Sequence, residues 1–112
     1  MKEPNLNRKL ELEAQQQVED GAGGYDVTWV ALGGVWADVK SGTSRERGVE
    51  AITVSRMTKR ITVRAAPVGA LSRPQPDQRF REGTRVYRIL AVSEVGAQVR
   101  YLMCLTEEEV LT

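Results

Sequence analysis

The sequence predicts an all-β fold: a small antiparallel β-barrel or sandwich of about six strands with long loops. Three observations carry this. Apolar residues alternate with polar ones at a period of two rather than 3.6. Clusters of glycine, proline and serine separate the alternating runs at short intervals. At 112 residues the chain is one domain on length alone, with material for a single core. A barrel is favoured over an open sheet because so short a sheet gains from having no free edges. The core is placed at about residues 8–106, after a flexible N-terminal lead (1–7) and before an acidic C-terminal tail (106–112).

The elements follow in order. Leu10, Leu12 and Ala14 alternate with Lys9, Glu11 and Glu13, the pattern of a half-buried strand. Gln17–Tyr25, with three glycines and two acids, reads as a flexible loop. Ile61 and Val63 alternate with Arg60, Thr62 and Arg64 in a strand that starts as early as Thr53. Ala66–Arg79 holds three of the four prolines, which excludes a central strand and predicts a long ordered loop. Thr84–Ser93 is a β-branched strand, Glu94–Gly96 a turn and Ala97–Leu105 the last strand. The residues after it, TEEEVLT, read as a solvated tail.

Both tryptophans lie in one stretch, Gly23–Val39. A two-residue turn at Gly33–Gly34 makes this stretch a hairpin. Leu32, Val35, Val30, Ala37, Thr28 and Val39 then share one apolar face. Trp29 and Trp36 become diagonal neighbours on the other face, beside Asp38 and Lys40. Such a pair is either an interface or a second small core under another element of the same domain.

Composition narrows the function. The chain has no histidine, the commonest general base and transition-metal ligand. Its one cysteine, Cys104, sits among Leu102, Met103 and Leu105 and is expected to be a buried, inert thiol. No glycine-rich phosphate motif opens a helix, and no spacing singles out a carboxylate pair, so the chain reads as no enzyme, with no cofactor and no metal. No apolar run approaches the length of a membrane span, and none at the N-terminus has signal-peptide character, so a soluble protein with no membrane partner is expected. The net charge of +1 divides into −3 over residues 1–40 and +4 over residues 41–112. The basic run Arg45–Arg64 lacks interleaved aromatics for base stacking.

Two motifs in sequence order carry a family resemblance. Trp29, Val35, Trp36, Ala37 and Val39 form a W…VWAxV pattern, and Arg79, Gly83, Arg85, Tyr87 and Ile89 form RxxxGxRxYxI. With the preceding DGAGG loop, this order resembles the phage head–tail joining, or head-closure, proteins from about Leu10 to Leu105. The resemblance implies a virion structural protein made in the bacterial cytoplasm. It implies a homo-oligomeric ring, six- or twelve-fold, in the neck of a tailed phage or phage-like particle. The partners implied are the portal or adaptor ring on the head side and tail-terminator or tail-tube proteins on the tail side. DNA passes through such a ring without specific binding, and in some relatives a loop closes the channel.

On this reading the interface candidates are Trp29, Trp36, Asp38, Lys40, Arg60, Arg64, Arg79 and Arg85. The channel-loop candidates are Gly42, Thr43, Ser44, Arg45, Glu46, Arg47 and Gly48, whose small residues permit rearrangement. Pro67, Arg73, Pro74 and Pro76 are candidates for contact with a neighbouring subunit or ring, because prolines lower the entropy cost of ordering. The competing readings are a tail-completion or tail-terminator ring and, in another class, a single-stranded nucleic-acid-binding barrel.

Overall fold

The computed structural model describes residues 3–41, 58–96, 98 and 100–110. They form six strands: β1 (Arg8–Glu19), β2 (Tyr25–Ser41), β3 (Thr58–Arg64), β4 (Arg79–Glu82), β5 (Arg85–Val95) and β6 (Tyr101–Val110). All neighbours are antiparallel, and the sheet closes on itself as a barrel in the order β1–β2–β3–β6–β5–β4. The closing seam is short: only Glu11–Glu13 of β1 pair with Arg79–Arg81 of β4. No helix is long and apolar enough to cross a membrane among the described residues.

Alternation explains the core. Leu10 and Leu12, Ala37, Ile61 and Val63, Phe80, Tyr87 and Ile89, and Leu102 and Cys104 each send their side chains into the barrel, and all are almost wholly buried. Each large member contributes about 1.5–3 kcal/mol by leaving water. The Tyr87 hydroxyl accepts a hydrogen bond from Arg8 Nη2 at 3.2 Å, so its polar tip is satisfied beside the barrel wall.

The predicted hairpin at Gly33–Gly34 is absent. The stretch is instead one 17-residue strand, and the chain reverses at Asp20–Gly24. The Asp20 carboxylate decides the competition between the two glycine clusters. It accepts the Ala22 and Gly24 N–H groups at 2.8 and 3.1 Å, and those bonds hold its pKa below the ordinary aspartate value. Gly33 serves another purpose: at φ 140° it sits opposite Leu12, where the β1–β2 register slips by one residue. The slip re-aims β1, so that Leu12 and Glu13 are both buried. Of the predicted apolar face, Leu32, Val35, Ala37 and Val39 do meet the core, whereas Thr28 and Val30 are exposed. The tryptophans are therefore not diagonal neighbours; they lie roughly 20 Å apart along one strand.

Six strands are present, but not the six the sequence suggested. The lost hairpin removes one, and β4 adds one at Arg79–Glu82, joined to β5 through a two-residue turn in which Gly83 takes φ 63°. The last strand starts at Tyr101 and runs to Val110, so the acidic segment is not a tail but the rim of β6, paired with β5 as far as Arg85↔Val110. Glu108 is held between Lys59 (3.7 Å) and Arg85 (3.5 Å). The proline-rich loop is ordered as expected. Any start of β3 before Thr58 lies outside the described residues.

Candidate assembly surfaces

Beyond the register slip, β1 and β2 leave the barrel as a two-stranded arm. From Ala14 to Glu19 and from Tyr25 to Val30 they pair only with each other among the described residues. Tyr25, Val27 and Trp29 fall on one face of this arm by alternation, and Tyr25 is 61% and Val27 52% exposed. Val18 and Val30 are exposed on the other face. Between Gln15 and Val30 the charges are Glu19, Asp20 and Asp26, with no cation.

The root of the arm is fixed by a compact charged cluster. Arg79 of β4 donates from Nε to Glu13 Oε1 at 2.6 Å, and its guanidinium lies 4.0 Å above the Trp29 ring centroid. Arg81 stands 3.8 Å from the other Glu13 oxygen. Glu13 and Arg79 are mostly buried, so the pair is drier than a surface bridge and needs both partners. Trp29 is thus half-buried under its own chain, which the sequence had left open.

Trp36 stands apart from this cluster and is 56% exposed. It forms one wall of a groove of about 670 Å³, together with Leu6, Val35, Arg64, Ala65 and Ser72. Asp38 is buried and accepts the Asn5 N–H at 3.0 Å, so it fastens the N-terminal lead along β2, with Lys40 at 3.9 Å. Arg8 binds Glu82 through both carboxylate oxygens, one contact at 3.2 Å. This pair holds the Glu82 carboxyl below its ordinary pKa and raises that of Arg8.

The remaining candidates scatter. Arg60 and Arg64 are exposed on β3, and Arg85 is committed to Glu108. In the proline-rich loop Pro67 and Pro76 are exposed, but Pro74 is fully buried within the chain. Arg73 turns back, donating to the Ala66 carbonyl at 2.9 Å and meeting Glu94 at 3.4 Å. The channel-loop candidates Gly42–Gly48 lie outside the described residues. Cys104 is buried, and burial pushes its thiol up to about 12. The sequence reading missed the arm and Glu13. Alternation of Tyr25, Val27 and Trp29 was the signal for the arm; nothing in composition marks a buried carboxylate at a slip.

Comparison with known proteins fits this architecture. A solved chain from the virion of a native gene transfer agent particle is 50% identical, with 96% of this chain and 99% of that chain covered and a TM-score of 0.75. Protein SF1141 from Shigella flexneri 2a shares the fold at 22% identity and a TM-score of 0.71, over 96% of each chain. No curated protein matches the chain. The family model for the phage head completion protein matches residues 1–109. With nearly its whole length inside that match, the chain belongs to the phage head completion protein family.

Proposed function

We propose that this head completion protein is a structural component of a phage-like particle, and that copies of it form a ring joining the DNA-filled head to the tail. One observation carries the reading: half of the residues are identical, across almost the full length of both chains, to a component of a gene transfer agent virion. The surfaces supply a physical route. A closed ring of identical subunits needs two unlike patches on each copy. The acidic, apolar arm and the groove beside Trp36 and Arg64 are two such patches.

The portal side of the head and the tail-terminator or tail tube are the neighbours in this proposal. Gly42–Gly48 is the segment proposed to face the DNA channel, on its small and mixed-charge composition. Deleting it should leave rings intact while packaged DNA leaks from the heads; failure of the rings themselves would count against the assignment.

The test is genetic. Particles made without the protein should yield filled heads and separate tails when viewed by electron microscopy. Normal numbers of joined, infectious or transducing particles would overturn the proposal, and tails of irregular length would favour a tail-terminator position. A single-stranded nucleic-acid-binding role fits less well. The Trp29 face is occupied by Arg79, and Trp36 is too distant to stack consecutive bases with it. Retarded migration of single-stranded DNA at moderate salt would revive that role.

A further inference from the structure

The arm and the groove match each other in chemistry but sit on different parts of the chain. The arm carries Glu19 without any cationic partner among the described residues, on the same face as the exposed Tyr25 and Val27. The groove is floored by Val35 and Ala65, walled by Trp36 and bordered by Arg64. Arg100 is exposed next to it, since the Ala65 N–H donates to the Arg100 carbonyl at 2.9 Å. Arg64 and Arg100 likewise have no ion-pair partner among the described residues, although most other cations of the barrel do.

We infer that the acidic arm of one copy seats in the Trp36–Arg64 groove of the next copy, head to tail, with Tyr25 entering the groove and Glu19, its cross-strand partner on the same face, turned to Arg64 and Arg100. The inference rests on the ring reading given above and names its interface. A second copy is the occupant because the complementary halves, apolar on apolar and anion on cation, are both carried by this one chain. A long two-stranded arm whose edges are unpaired among the described residues is also a poor free element: each such edge leaves every second N–H and C=O without a strand partner, and the exposed valines gain nothing from water. A heterologous contact of this kind covers them in every copy and closes by rotation.

The test uses assembled particles carrying the full-length double variant Tyr25→Cys/Ser72→Cys, treated with a short bismaleimide. Cys104 is buried and does not react. A ladder of cross-linked species extending past the dimer is expected, because each subunit reaches the next. Particles that hold the variant at wild-type copy number but give no ladder would overturn the docking while leaving the ring reading intact. Dimers from Tyr25→Cys alone would mean arm-to-arm pairing and would overturn it too. The second arm of the test is charge reversal. Glu19→Lys and Arg64→Glu/Arg100→Glu should each lower incorporation into particles at least tenfold. Combining all three in one chain should restore it to within about twofold of wild type; failure to restore would sink the inference. Absence of the wild-type protein from particles would instead refute the ring reading.

Discussion

Two long hairpins extend from this barrel, and among the described residues only one of them is held down. In the β5–β6 hairpin, Tyr101–Glu107 pair with β3 on their second edge. The proline-rich loop anchors the other flank: the Asp77 N–H donates to the Ile89 carbonyl, the Ile89 N–H to the Gln78 carbonyl, and Arg73 reaches Glu94. Among the described residues the β1–β2 hairpin has neither support past the slip at Leu12/Glu13, and Val18, Tyr25, Val27 and Val30 stay in water. The same local material, antiparallel β-branched strands, becomes body in one place and outreach in the other. What differs is whether a third strand or an ordered loop is present to pair the edge. In the proposed ring those residues are buried against the neighbouring copy.

The contrast breaks first at the core. Phe80→Ala or Leu12→Ala should cost about 3–5 kcal/mol in chemical denaturation, because the barrel wall cannot collapse into the void. A cost under 1 kcal/mol would mean that the seam between β1 and β4 is not part of the cooperative unit. Next comes the hinge between body and arm. Arg79→Ala should cost about 3 kcal/mol, because Glu13 is left buried without its partner and Trp29 loses its cover. Tryptophan fluorescence should register the change at Trp29, with the Trp36 signal unmoved.

A smaller effect separates the rim from the arm by pH. Glu82 is held below the ordinary glutamate pKa by Arg8, so its pairing stabilises the fold fully above the unfolded-state value of about 4.3 and is lost as pH falls through the lower folded-state value. Glu82→Gln should therefore flatten the loss of stability below about pH 4.5, measured by thermal melts across pH; an unchanged slope would mean that the pair does not persist in solution. Smallest of all, Tyr25→Ser and Val27→Ser should change stability by less than about 0.5 kcal/mol, because both side chains are already in water. Those two variants should nonetheless be poorly taken up into particles. If they melt early instead, the arm belongs to the core.

Much of the body was legible in the sequence, because strict alternation at Leu10/Leu12, Ile61/Val63 and Tyr87/Ile89 leaves few options for burial. The error at Gly33–Gly34 has a physical origin. Two glycine clusters compete to turn the chain, and the decisive factor is a side chain, the Asp20 carboxylate capping two backbone N–H groups, not glycine content. β4 was missed because four residues are too few to show a period, and its place depends on pairing with β1 nearly seventy positions earlier. The acidic end of β6 looked like a solvated tail because the partners of Glu108, Lys59 and Arg85, are far away in sequence. For the surfaces, the sequence offered Trp29 and Arg79 as separate interface candidates and could not tell that they bind each other. Long-range ion pairs leave no mark in local pattern.

The central claim is that this chain acts as one of several identical links at the junction of head and tail. Cryo-electron microscopy of intact particles tests it most directly. The density should show a closed ring of barrels between portal and tail, each arm lying against the neighbouring copy. Isolated barrels on the capsid surface, or no copy at the junction, would contradict it.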